Sequence, residues 1–307
     1  RLSVMLPTNG LDEFGEKYLD LKDLSLSECI ERYLDAKRSV LLFSKGVILV
    51  EGDAEEILIP SLVKQTLGVS LDELGIGIIN IGSVSFEYVA SVFSDERIQR
   101  HCAIITDLDA QVEGAKKGSE GAATRGLSRK EKLTNLYHDN RWGKPFYAPH
   151  TFEVDFFESK ANRRFLTDII QKHYSRDSTI TKYTDAIDAD EASRYDAVLA
   201  IADSVGKGWL ATLLAQSIEY DAQIPNYIVE ALAFASQEII DINIIKKMLL
   251  YVLDLYDGSS FFIEKVQGSY TVDEIIDAAK LFIESYTNDS LALFLTKHME
   301  LASNGSI

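Results

Sequence analysis

Three short apolar runs, separated by segments of helical length, limit most strongly what this chain can fold into. Gly46-Val-Ile-Leu-Val50, Gly77-Ile-Ile-Asn-Ile81 and Ala103-Ile-Ile-Thr106 are too short for helices and nearly free of polar residues. Such runs predict strands buried on both faces. Between them, 54–67 and 86–99 carry apolar positions at helical spacing, as does 25–44 ahead of the first strand. The β–α–β–α–β order predicts a parallel sheet with right-handed crossovers, and function in such sheets gathers at the carboxyl ends of the strands.

Acids stand at two of those ends. Glu51 closes the first strand, with Glu55 one helical turn later on the same face; Asp107 and Asp109 close the third, two residues apart. If the first and third strands are neighbours, the four carboxylates converge. Crowded carboxylates repel and raise one another's pKa. A divalent cation relieves that penalty, and hard oxygen ligands suit magnesium or manganese. Asp53 and Glu56 read as helix-start acids favoured by the dipole. The five histidines form no metal spacing and are expected to be structural. The two cysteines, Cys29 and Cys102, form no CxxC or Cys/His cluster, so neither a disulfide framework nor a zinc site is expected.

The remainder is expected to be organised around this core. Residues 1–45 form a helical lead-in, and 46–158 the sheet domain, with a Gly-rich, charged excursion at 110–145 and another extended segment from Phe146 to Phe157. Residues 159–307 are expected to be mainly helical, over 162–173, 190–202, 207–219, 226–236, 241–256, 272–286 and 289–300. The helices after residue 238 are expected to form a packing or dimer element, leaving a homodimer open. The chain opens on Arg1 and is expected to be a piece of a longer protein. No apolar run approaches the ~18 residues of a membrane span and no signal peptide opens it, so the cytoplasm is the expected location.

A net charge of −17 is awkward for a nucleic-acid partner, but its distribution matters more. Between Glu113 and Lys144, eight bases oppose four acids, whereas the last seventy residues carry eleven acids against five bases. Lys116, Lys117, Arg125, Arg129, Lys130 and Lys132 are the densest positive run and the expected track for a DNA backbone.

Four motifs, in order, carry a family resemblance. Ile48-Leu-Val-Glu-Gly-Asp-Ala-Glu-Glu-Ile-Leu-Ile-Pro60, preceded by Arg32-Tyr-Leu-Asp35 and Leu41-Leu-Phe-Ser-Lys-Gly46, resembles the opening of the Toprim domain of the OLD (overcoming lysogenization defect) family. Ile104-Ile-Thr-Asp-Leu-Asp109 resembles its D-x-D motif, and Ile81-Gly82 its glycine after the second strand. Thr151-Phe-Glu-Val-Asp-Phe-Phe157 resembles its Thr-Leu-Glu-x-Asp segment, and Gly206-Lys-Gly-Trp-Leu-Ala211 its Lys-Gly-x-Phe-Ala helix start.

The resemblance implies an α/β Toprim core with a C-terminal helical domain, acting as a metal-dependent DNA endonuclease by a two-metal mechanism and linked to defence against phage. Two ions, magnesium or manganese, would be held by Glu51, Glu55, Asp107, Asp109 and Glu153. Lys207 would neutralise charge in the transition state. Asp155, taken to face the same way as Glu153, is a further candidate ligand. The resemblance also implies an ABC-type ATPase N-terminal to this region. No G-x-x-x-x-G-K-[ST] occurs in these 307 residues, so any use of ATP rests on that other domain.

Three alternatives remain. A type II topoisomerase fragment would follow Val-Glu-Gly-Asp with a Pro-Leu-Arg-Gly-Lys-like segment, where Ile59-Pro-Ser-Leu-Val stands here; a primase would bring a zinc module. A non-catalytic Toprim module for dimerisation or DNA binding would not need every acid and Lys207.

Overall fold

The computed structural model describes residues 43–82, 86–237, 239–256 and 260–304. The helix expected over 25–44 and nearly all of the lead-in 1–45 lie outside the described residues. From there the chain runs β1 (Gly46–Val50), α1 (Asp53–Leu67), β2 (Ile76–Asn80), α2 (Phe86–Ala90), β3 (Cys102–Asp107), α3 (Glu120–Tyr137), β4 (Gly143–Ala148) and α4 (Phe152–Phe156). Nine helices follow among the described residues: α5 (Lys160–His173), α6 (Asp177–Asp188), α7 (Glu191–Val205), α8 (Lys207–Ser217), α9 (Asn226–Ser236), α10 (Ile242–Leu255), α11 (Ser260–Gly268), α12 (Val272–Ser285) and α13 (Ser290–Asn304).

The four strands form one parallel sheet in the order β2-β1-β3-β4. All five residues of β1 are buried, as its apolar run requires. Alternation sends Ile48 and Val50 into one core, and Val47 and Leu49 into a second on the opposite face. The second core is closed by Phe86 and Val89 of α2 and by Leu133 and Tyr137 of α3. The first is far larger. It runs from the sheet through α1 and α9 to Met248, Phe282 and Phe294 of the last helices, so the segment after residue 238 joins the same core. Each such side chain, fully buried, contributes about 1.5–3 kcal/mol.

Helix α9 explains how the C-terminal part grips the sheet. Its residues are buried on nearly every side because it lies between β1, β3 and β4 on one flank and α13 on the other. Helix α8 packs lengthwise against α1, bringing its start close to the acids at the head of α1. Among the described residues no single helix is long and apolar enough to cross a membrane; only the bent pair α7 and α8 passes by length and composition together.

Three expectations are corrected. The second helix ends at Ala90, short of residue 99, because the chain turns back: the Arg97 guanidinium donates to the Ser91 carbonyl (2.7 Å) and Ile98 N–H to the Val92 carbonyl (3.0 Å). The excursion 110–145 holds an 18-residue helix, α3, capped where the Ser119 side chain accepts from Ala122 N–H, and the start of β4. Only Gly126, Leu133 and Tyr137 of α3 are buried, so its apolar periodicity is faint. The extended segment 146–157 is strand only to Ala148 and helix from Phe152. Helices α6 and α11 lie outside the expected helical spans, although α6 carries Ile180, Tyr183 and Ile187 at helical spacing, packed against the larger core.

Candidate metal centre

Because the strands are parallel, the ends of β1, β3 and β4 open on one edge of the sheet, and β1 pairs directly with β3. The condition for convergence is met. Glu51, Asp53, Glu55, Asp107, Asp109, Glu153, Lys207 and Gly208 line a cleft of about 350 Å³ at that edge.

Each side chain arrives for a local reason. Glu51 leaves β1 half-buried and accepts from the Thr106 hydroxyl at 2.8 Å. Glu55 is in the first turn of α1, where the helix dipole favours acids, and is 4% exposed. Asp53, read as a helix-start acid, also faces the cleft and accepts from the Asn80 amide at the end of β2 (2.6 Å). Asp107 ends β3. Asp109 follows in the left-handed region at φ 53°, a conformation Asp tolerates better than most residues, and strain of this kind gathers at functional sites. Glu153 stands in the first turn of α4 and is 3% exposed.

Lys207 comes from the far part of the chain. Gly206 adopts φ 88°, and α7 and α8 bend by 102° there, which starts α8 at the cleft. A lysine at a helix start opposes the dipole by a few tenths of a kcal/mol. Here Glu153, at 3.1 Å from its ammonium, offsets that cost.

The electrostatics match an acid cluster short of cations. Burial pushes the Glu55 carboxyl up to about 7; the charges of Glu153 and Glu51 add to the shift, while its own backbone N–H and Lys207 oppose it. Burial also lifts Asp107 well above its usual range, helped by Glu55, Glu153 and Glu51. Burial works against the Lys207 charge, but Glu153, Asp107 and Glu55 outweigh it and hold the ammonium above its ordinary range.

These shifts predict a pH dependence. A carboxyl raised on folding favours the fold fully below its ordinary pKa of 4.5, and that contribution disappears as pH rises through about 7. In chelator, the melting temperature is therefore expected to fall between about pH 5 and about pH 8, and Glu55→Gln to flatten that fall. Manganese, which binds the carboxylate form, is expected to offset it. Thermal melts across this range, with chelator and with manganese, measure both effects.

The residues fit divalent cations in one telling respect. Asp107 Oδ1 and Glu153 Oε1 are buried and have no hydrogen-bond partner, although buried carboxylate oxygens ordinarily do. In the arrangement seen, no group of three acidic, imidazole or thiol side chains among the described residues is gathered tightly enough to hold one ion together. The acids share the cleft with Lys207, and Arg129 approaches two of them, 3.6 Å from Glu51 and 3.9 Å from Asp109.

Two candidates go elsewhere. Asp155 does not share the facing of Glu153: two residues apart on a strand is the same face, but on α4 it is about 200° of rotation. Asp155 accepts from His150 N–H (3.2 Å) and lines a separate cavity with Tyr147 and Tyr227, its carboxyl pushed by burial up to about 7. Arg129, expected on the DNA track, instead turns into the acid cluster. Among the other basic candidates, Arg125, Lys130 and Lys132 lie on α3 and Lys116 ahead of it, while Lys117 is paired with Asp203 at 2.7 Å. Sequence reasoning missed Thr106, whose only signal was a hydroxyl inside an otherwise apolar strand.

A parallel sheet covered by helices, with acids of E-G-x-x-E and D-x-D type at its carboxyl edge, defines a Toprim domain. Residues 42–109 match the family model described as overcoming lysogenization defect protein-like, TOPRIM domain, so the chain carries a Toprim domain of the OLD-like kind. The fold is similar to the C-terminal region of the Burkholderia pseudomallei OLD protein, at 25% identity over 63% of this chain and 97% of that chain, TM-score 0.48. It is also similar to the C-terminal region of the Xanthomonas campestris pv. campestris OLD protein phased with platinum, at 24% identity over 71% of this chain and 100% of that chain, TM-score 0.46. No curated protein matches the chain.

Proposed function

We propose that this cleft hydrolyses phosphodiester bonds in DNA with two divalent cations, magnesium or manganese, nicking or cutting both strands. The two buried, unpartnered carboxylate oxygens of Asp107 and Glu153, in one cleft with Lys207 at the carboxyl edge of a parallel sheet, carry the reading. When bound, the cations supply Lewis acidity toward the phosphate and a hydroxide-like nucleophile at neutral pH.

The chain's own residues do the rest. Glu51, Glu55, Asp107, Asp109 and Glu153 would hold the ions, with Thr106 orienting Glu51. Lys207, with about half its side chain exposed, would meet charge that builds on the phosphate oxygens. Its ammonium is fixed beforehand by Glu153, so it need not reorganise during the reaction. The same reading includes an ABC-type ATPase N-terminal to this region, action in the cytoplasm and a role in defence against phage.

The test is incubation with supercoiled plasmid in magnesium, manganese, calcium or chelator. Nicking in magnesium or manganese, and none in chelator, is expected; undiminished cutting in excess chelator overturns the reading.

Helix α3 runs beside Glu51 and Asp109, as the approach of Arg129 to both requires, and also carries Arg125, Lys130 and Lys132. With Lys116 they would track the DNA backbone. Replacing all four with Ala is expected to weaken binding and to flatten the log–log salt dependence by about one unit per lost phosphate contact. Binding titrations at several salt concentrations measure the slope, and an unchanged slope removes α3 from the interface.

A further inference from the structure

Arg129 stands where a cation belongs. Helix α3 crosses the end of β3 so closely that a Cβ on Gly126 would lie 2.1 Å from the Leu108 carbonyl oxygen. That approach, one turn earlier on the helix, lets Arg129 reach the strand end. Its Nη2 donates to the Asp107 backbone carbonyl and bridges toward Glu51 of β1 and Asp109 beyond β3.

The contacts are unequal. The carbonyl is a fixed anchor. The two carboxylates, at 3.6 and 3.9 Å, lie outside hydrogen-bond range, so only charge attracts them. Its Nε is buried with no partner, although the side chain is only 14% exposed. A guanidinium this enclosed and this poorly satisfied is not the optimum for the Glu51–Asp109 pair. A divalent ion brings twice the charge and binds carboxylate oxygens at about 2.0–2.6 Å.

We propose that Arg129 is a resident counter-cation for Glu51 and Asp109, displaced when a divalent ion takes those carboxylates. It pivots on the Asp107 carbonyl as it leaves. Arg129 is thus a positioning residue: it holds the ends of β1 and β3 together without metal and keeps the ligands apart from other partners. This rests on the metal reading of the cleft.

The test is manganese calorimetry, with thermal melts in chelator and in saturating manganese, on the whole chain and on Arg129→Gln, Arg129→Ala and Arg129→Lys. Removing one positive charge that competes with a doubly charged ion for the same carboxylates is expected to tighten manganese binding about tenfold in Arg129→Gln and Arg129→Ala. Both variants are expected to melt lower in chelator and to gain more from manganese than the parent. Arg129→Lys, which restores charge, is expected to return toward parent affinity. A merely structural arginine would lower the melting temperature without tightening manganese binding. Unchanged or weaker affinity in Arg129→Gln, with the parent binding normally, overturns the counter-cation role alone. A parent that takes up no manganese overturns the metal reading and this proposal with it.

Discussion

Asp107→Ala is expected to lose metal affinity and DNA cleavage together, with single-turnover cutting slowed by about 10³-fold or more. That is the scale of the several kcal/mol a catalytic cation supplies. Asp107 is central in the cleft: it ends β3 between the acids of β1 and α4, and one of its oxygens is buried with no partner. Its burial gives the variant a second signature. Without metal, the charged form of Asp107 is disfavoured by burial and by Glu55, Glu153 and Glu51. Removing it relieves that repulsion, so the variant is expected to melt no lower than the parent in chelator and to gain little from manganese. A variant that melts far lower in chelator would instead make Asp107 a structural residue.

Lys207→Ala is expected to separate chemistry from metal binding. The carboxylates stay in place and lose a neighbouring cation, so manganese affinity is expected to hold or to rise. Cleavage is expected to slow by ~10²-fold or more, the scale for one preorganised transition-state contact. Calorimetry and single-turnover cleavage on the same preparation decide the matter. Parent-rate cutting would make Lys207 a surface residue. Loss of manganese binding would show that its contact with Glu153, rather than any contact with substrate, is what the site needs.

The two variants also bear on the alternatives. A module kept only for dimerisation or DNA binding predicts no turnover in the parent. The nuclease reading requires turnover that both substitutions remove by different routes.

How far this site can be read from the chain alone varies residue by residue. Glu51, Asp107 and Asp109 are legible because they follow apolar runs whose burial is a local property. Lys207 is legible only through a family resemblance. It lies in the far helical part of the chain, and no periodicity ties it to the head of α1. The bend at Gly206 carries it to the cleft, so close to α1 that a Cβ on Gly208 would lie 3.6 Å from that of Asp53.

Arg129 and Asp155 mislead for opposite reasons. Arg129 sits in a charged, Gly-bearing stretch that looks like a solvated loop, because α3 rests on the sheet through only three buried residues. Asp155 takes its expected facing from a strand period, although the chain has already turned helical at Phe152.

Apolar spacing over a few residues suffices for the buried strands, for the acids at their ends and for most helices of the C-terminal part. It does not reach the neighbour relations. That β1 lies beside β3, that α9 closes the sheet, and that Lys207 and Arg129 both reach the carboxylate cluster emerge only once the chain is folded. Those contacts join residues dozens of positions apart. Their energy comes from burying whole faces against each other, and a local pattern records which face is apolar but not which partner will cover it.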